Sequence, residues 1–275
     1  MKRLGLTTLL IAGFFMLGIL CASTLAWAEE KGKHDTAALA KASQNPVSSL
    51  ISLPFENNVN FGIGPEDDIS NVLNIKPVYP VNINENWNWI HRAIVPCIYK
   101  ENSLPGGDDI YGVGDITYQG FLTPAKAGKL IWGVGPVLSM PTGANDLTSD
   151  KWSGGPGAVA LMMPGNWVLG GLIFNVWSMG GLGEAPDVNL FNFQYFINYN
   201  FPKGWYLTTG PTITANWEAD GGNVWTVPVG GGVGKIFRIG KQPVNLKVTG
   251  YYNVHKPHDA ANWFLQTQLT FMFPR

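Results

Sequence analysis

Between positions 191 and 201 the chain alternates with period two, and few folds can use such a pattern. Phe191, Phe193, Tyr195, Ile197, Tyr199 and Phe201 interleave with Asn192, Gln194, Phe196, Asn198 and Asn200. A helix would scatter these residues around its circumference, whereas a strand sorts them onto two faces. Trp205, Leu207, Thr209, Pro211, Ile213, Ala215 and Trp217 alternate in the same way with Tyr206, Thr208, Gly210, Thr212, Thr214 and Asn216. So do Val244, Leu246, Val248, Tyr252 and Val254 against Asn245, Lys247, Thr249 and Asn253. The polar faces carry mostly Asn, Gln, Thr and Gly. A soluble sandwich would turn Lys and Glu outward, yet only 13% of this chain is charged, against about 25% in an ordinary soluble domain. An apolar exterior around a polar interior accounts for both facts, and that is the pattern of a transmembrane β-barrel.

Turn signals divide the chain from residue 59 onward into twelve predicted strands, the first near 59–64, the sixth near 156–163 and the last near 262–273. Alternate connections are tight, at 84–86, 124–129, 164–165, 202–204 and 239–243, and those between them are mostly longer, notably 100–114, 141–155 and 179–188. An even strand count with short turns on one side and long loops on the other marks an antiparallel, up-and-down outer-membrane barrel with both termini in the periplasm. Trp87, Trp89, Trp132, Trp167 and Trp205 fall at short-turn ends, and Trp177, Trp217, Trp225 and Trp263 at long-loop ends. Two interfacial girdles touching outer-membrane lipid are therefore expected. The uncharged run 152–183 could also be read as a membrane helix. Pro164-Gly165-Asn166 and its many glycines favour two strands of a hairpin.

Lys2 and Arg3 precede an apolar stretch at 4–28 that ends in Ala26-Trp27-Ala28, the pattern of a secretory signal peptide at 1–28. An uncleaved anchor is the alternative, since the stretch is long enough to span a bilayer. A lipoprotein site at Cys21 is excluded by Leu20 before it. Without the leader only Cys97 is left, so an internal disulfide is ruled out, and 16 basic face 19 acidic residues, a net charge of −3 without a nucleic-acid footprint. Residues 29–58 read as a periplasmic tail, flexible over 29–42. Asn45-Pro46 followed by Val47, Leu50, Ile51 and Leu53 has the cap and spacing of a short helix that would plug the lumen, or else forms a turn leading into the barrel of 59–275.

Several blocks resemble a known family. They are Asn45-Pro46-Val47, the run from Leu50-Ile51-Ser52-Leu53-Pro54-Phe55 through Glu56-Asn57-Asn58, and Asn71-Val72-Leu73-Asn74-Ile75. Lys129-Leu130-Ile131-Trp132-Gly133-Val134-Gly135-Pro136, Asn216-Trp217-Glu218-Ala219-Asp220, the run from Trp225-Thr226-Val227-Pro228 to Lys235, and Tyr251-Tyr252-Asn253-Val254 complete the set. Together they cover nearly the whole mature chain and resemble the outer-membrane phenol-degradation meta-pathway (MetA-pathway of phenol degradation) family, often labelled transporters. The resemblance implies an outer-membrane barrel; it brings no substrate, catalytic residue or binding residue with it.

The chemistry agrees with that silence. An outer-membrane hydrolase would need a serine near His255 or His258, with Ser178 and Ser153 as the candidates, and no spacing selects either. His255-Lys256-Pro257-His258 offers a metal two imidazoles without a carboxylate, and Gly230-Gly231-Gly232-Val233-Gly234-Lys235 lacks the phosphate-loop spacing, so it reads as close backbone approach within a strand. No catalytic, cofactor or metal set is expected. The lumen-lining candidates are Asn192, Gln194, Asn198, Asn200, Thr208, Thr212, Thr214, Asn216, Gln266 and Gln268. Lys76, Arg92, Lys100, Lys235, Arg238 and Lys247 are lumen or rim charges whose face the alternation leaves open. Phe121, Phe196, Phe264, Tyr206 and Tyr251 are bulky inward candidates that would narrow the interior. A twelve-strand barrel lies between small filled barrels and open porins. Two functions follow: a passive channel for small solutes, apolar and aromatic ones among them, or a largely closed structural or ligand-binding barrel. The aromatic C-terminal strand, ending Phe271-Met272-Phe273, is the expected contact for barrel-assembly machinery. Amino-terminal sequencing of the exported protein is expected to begin at Glu29, and a first residue of Met1 would establish the uncleaved anchor.

Overall fold

A strand in hydrocarbon must find a partner for every backbone N–H and C=O, and here the sheet closes on itself to provide them. The computed structural model describes residues 33–102, 107–126, 128–144, 147–181 and 185–274. Helix α1 (Lys33–Ser43) precedes β1 (Ile51–Ile63), β2 (Asp68–Ile75), β3 (Val78–Asn82), β4 (Trp87–Lys100), β5 (Ile110–Val113), β6 (Ile116–Pro124), β7 (Leu130–Met140) and β8 (Lys151–Met162). There follow β9 (Trp167–Gly181), β10 (Asn189–Asn200), β11 (Trp205–Thr209), β12 (Thr212–Asn216), β13 (Trp225–Ile239), β14 (Gln242–His255) and β15 (Trp263–Phe273). All pairings are antiparallel, and β15 closes on β1 in unbroken register from Ile51↔Phe273 to Phe61↔Trp263.

The fifteen segments make twelve staves, because β2/β3, β5/β6 and β11/β12 are each one stave with a break, and fifteen less three is twelve. The breaks fall at Lys76-Pro77, Gly114-Asp115 and Gly210-Pro211, two of them at prolines, which cannot donate to a ladder. The freed groups are taken up locally. Lys76 N–H donates to the Pro54 carbonyl at 2.9 Å and Gly114 N–H to that of Pro96 at 2.8 Å. At the third break Gly210 N–H donates to the Tyr251 hydroxyl at 3.2 Å, and the Gln194 amide donates to the Gly210 carbonyl at 3.0 Å. Tight turns follow the same local logic. Asn84 Oδ1 accepts from the N–H groups of Asn86 and Trp87, and Gly165, at φ 54°, supplies the left-handed residue after Pro164.

Three expectations need correction. The barrel begins at Ile51 rather than at 59, so residues 51–58 belong to the wall and not to a tail. Pro54 and the Asn45-Pro46 pair hid this strand. Asn45 Oδ1 accepts from Val47 N–H at 2.9 Å, which makes a side-chain turn and starts no helix. The helix lies earlier, in 33–43, almost wholly inside the 29–42 segment expected to be flexible; its Leu39 and Ala40 are buried against the barrel. The sixth strand starts at Lys151 rather than 156. Signal-peptide residues 1–28 lie outside the described residues.

The Gly230 to Gly234 run lies in β13, where Tyr206, inward and buried, lies over Gly234, so that a Cβ there would collide with its ring. Gly234→Ala is expected to destabilise the folded barrel by about 1–3 kcal/mol through this overpacking, read as a lower urea midpoint in detergent.

Candidate functional site

Parity along each strand sets the two faces. On β10, Phe196 and Asn198 are buried while Ile197 is 42% exposed, so the even positions turn inward, and the register carries that face around the sheet. The inner wall has two characters. Strands β4, β6 and β8 to β10 contribute Ile90, Phe121, Val159, Leu161, Val168, Leu172 and Phe196, which pack with Val47 of the N-terminal segment. Leu39 and Ala40 of α1 and Leu50 pack with Tyr206, Ile236 and Met272 on the facing strands. Residues 39–50 thus lie in the short-turn mouth of the lumen. Polar bonds fasten them: Gln44 and Asn200 exchange amide hydrogen bonds at 3.0 and 3.1 Å, and Lys41 Nζ donates to the Gly165 carbonyl at 2.7 Å.

The rest of the inner wall is polar. Lys76 Nζ lies 2.5 Å from Glu56 Oε1. Gln266 Nε2 donates to Asn58 Oδ1 at 2.9 Å, Thr249 Oγ1 to Gln266 Oε1 at 3.4 Å, and the Tyr206 hydroxyl to Asn245 Oδ1 at 2.7 Å. Arg92 and Gln119 are cross-strand neighbours, and buried Arg92 Nη1 and Gln119 Oε1 have no hydrogen-bond partner. Lys247 is paired in register with Gln268, which is paired with Glu56.

The structure places the lumen candidates as follows. Asn192, Gln194, Asn198, Thr208, Thr212 and Thr214 share the inner parity of β10 to β12, and Gln266 and Gln268 that of β15. Gln194 is committed to the Gly210 carbonyl and Asn200 to Gln44, so both brace the wall or the plug. Asn216 is exposed at the long-loop end, where its Oδ1 caps the turn at Glu218 N–H. Phe121, Phe196, Tyr206 and Tyr251 are buried inside, and Phe264 shares their inner face through its pairing with Tyr251. Sequence reasoning assigned Glu56 to the tail and left the faces of Lys76, Arg92 and Lys247 open; all four turn inward. The signal was present in Pro54, Glu56, Asn58 and Asn60, which alternate with Leu53, Phe55, Val59 and Phe61 but are interrupted by Asn57. Lys235 takes the other face, 4.7 Å over the Trp205 ring.

The nine expected girdle tryptophans share the outer parity. Trp87 and Trp132 meet edge to face at 6.0 Å at the short-turn end, and Trp217 and Trp225 at 5.3 Å at the other. Trp152, 49% exposed, joins the second belt; it lies in the part of β8 that precedes the expected start near 156. A concavity of about 760 Å³ opens on the lipid face of β7 to β9, where Gly135, Gly155 and Gly157 thin the wall beside Pro136 and Pro156.

At the rim, Lys151 and Ser178 both donate to Asp187 Oδ1, at 2.6 and 3.2 Å. Hydrogen bonding and charge from Lys151 hold this carboxyl below the usual carboxylate range. Any stability it lends is therefore present above the unfolded carboxylate pKa and lost as pH falls through the folded one. His258 Nδ1 faces Asp259 at 2.8 Å. Ser178 is committed to Asp187 and Ser153 Oγ is buried without a partner, so neither serine is joined to His255 or His258 by a hydrogen bond.

The barrel is similar to the COG4313 outer membrane channel from Pseudomonas putida F1, with a TM-score of 0.65 at 15% identity, covering 83% of this chain and 97% of that one. The chain has the fold of an outer-membrane β-barrel. A second match, the CymD monoaromatic hydrocarbon channel, aligns over 90% of this chain and 93% of that one at 11% identity and a TM-score of 0.39, which adds nothing to the assignment. The sequence matches no family model and no curated protein.

The lumen's apolar side is packed rather than hollow: Ile90 and Phe121 are fully buried partners across β4 and β6. Phe121→Ala is expected to cost about 3–5 kcal/mol, measured as the loss in unfolding free energy of the detergent-folded barrel.

Proposed function

We propose that the chain is a passive, selective channel of the outer membrane for small solutes, apolar and aromatic ones among them, exported through the leader at 1–28. It would have outer-membrane lipid and the barrel-assembly machinery as partners and no enzymatic role of its own. The observation that carries this reading is the two-sided lumen, in which a packed apolar arc faces an arc of amides, hydroxyls and charges, with a separate N-terminal segment seated in one mouth. A structural barrel gains nothing from burying charges inside, since ions desolvated without full compensation cost stability. A solute path gains selectivity from both walls. The blocks that resemble the phenol-degradation meta-pathway family, together with the COG4313 likeness in fold, support reading the chain as one of that group.

One observation favours the runner-up, a largely closed binding barrel. Ile90, Phe121, Leu161 and Val168 leave almost no free surface at the short-turn half of the lumen. Removing residues 29–50 separates the two without touching β1, which begins at Ile51. In planar bilayers the mature protein is expected to show small conductance steps that grow several-fold on this deletion, as the plug leaves with Val47 and α1. Silence in both forms, with the heat-modifiable gel shift of a folded barrel retained, would move the assignment to the closed barrel.

A further inference from the structure

A single belt of the inner wall holds an excess of positive charge. Glu56, Arg92 and Lys247 each lie five residues from the short-turn end of their strands (51 to 56, 87 to 92, 242 to 247), and Lys76 reaches the same level from the break in its stave. Three cations thus share one carboxylate. Lys76 takes that carboxylate in a 2.5 Å pair, which leaves Arg92 and Lys247 within electrostatic reach of Glu56 but without a hydrogen bond to it. The charge balance of the belt is +2. An unpaired cation in a low-dielectric enclosure draws anions far more strongly than one in bulk water, because the surrounding walls focus its field.

A second, independent observation points to an occupant. Nη1 of Arg92 is buried without a partner, and so is Oε1 of Gln119, its cross-strand neighbour on the same inner face. Buried donors and acceptors are almost always satisfied, by protein, water or ligand. Two positions along the strand from Arg92, about 6–7 Å, the wall becomes apolar at Ile90 on one side and at half-buried Ile94 on the other. Phe174, also half-buried, packs against the same apolar cluster as Ile90.

We propose that this belt is a binding constriction for small organic monoanions, in which Arg92 and Lys247 hold a carboxylate while Ile94 and Phe174 contact an apolar or aromatic body. Glu56 fixes Lys76. The inference rests on the channel reading for its transport role, and its binding role stands without conduction.

Benzoate and benzamide have nearly the same shape and differ in charge, so calorimetric titration of both into the detergent-folded mature barrel tests the belt directly. Benzoate is expected to bind at least about tenfold tighter than benzamide, a difference of about 1.4 kcal/mol. Arg92→Gln and Lys247→Gln should each remove most of that preference, whereas Lys235→Gln, the same change of charge on the lipid face, should leave it intact. In a KCl gradient the wild-type reversal potential is expected to carry the sign of anion selectivity and to move toward zero in both lumen variants. The gel shift reports whether each variant folds, and the Lys247→Gln arm leaves the Glu56–Lys76 pair in place should Arg92→Gln fail to assemble. Equal affinity for benzoate and benzamide, or a preference unchanged in both lumen variants, would overturn the proposal. Preserved benzoate preference in a barrel that never conducts would overturn the channel reading alone.

Discussion

Every other property of this molecule depends on the pairing of β15 with β1. A bilayer offers nothing to an orphan N–H or C=O, so an open edge at either strand would cost several kcal/mol for each unsatisfied group. The register from Ile51↔Phe273 to Phe61↔Trp263 removes both edges at once and fixes which side chains look inward. Because strand side chains alternate, slipping this seam by one residue would turn Glu56 into hydrocarbon and Phe55 into the lumen. The seam is therefore a constraint on chemistry as much as on architecture.

Closure has to tolerate prolines, and the inner wall shows how. Where Pro211 interrupts its stave, Gln194 and Tyr251 reach across from β10 and β14 to satisfy Gly210. Asn200 is likewise occupied with Gln44 and the Asn166 carbonyl. Part of the polar lining is thus structural, performing inside the barrel the bonding that the ladder has lost. The remaining part is distinguished by what it leaves unpaired, and Arg92 and Gln119 are cross-strand neighbours that each bury such an atom.

The plug and the belt divide the lumen along its length. Apolar packing around Val47, Phe121 and Leu161 occupies the short-turn half, while the charges of Glu56, Lys76, Arg92 and Lys247 lie at its inner boundary. Hydrophobic burial holds the N-terminal segment without direction, and the Gln44–Asn200 and Lys41–Gly165 bonds set its orientation. The backbone N–H groups of Gln44, Asn45 and Ser48 bond within the segment itself, to the carbonyls of Ala40, Ala42 and Asn45.

Local pattern determined the barrel. Alternation from Phe191 to Phe201, the amide face, the tight turns and the tryptophan placement each depend on neighbours in sequence, and from them come the fold class, twelve staves and two girdles. The first strand escaped because Pro54 and Asn57 break its alternation and Asn45-Pro46 imitates a helix cap; only pairing with β15 and β2 makes 51–58 a strand. Helix α1 escaped because its stability comes from Tyr206, Ile236 and Met272, residues far along the chain. The faces of Lys76, Arg92 and Lys247 were open for the same reason: parity within a strand is local, but which parity is inward depends on the whole closed register. Sequence alone thus determined that a polar interior exists, and the tertiary structure decided which amides are braces, which cations are unpaired and what fills the mouth, because those are relations between staves that only the closed sheet brings together.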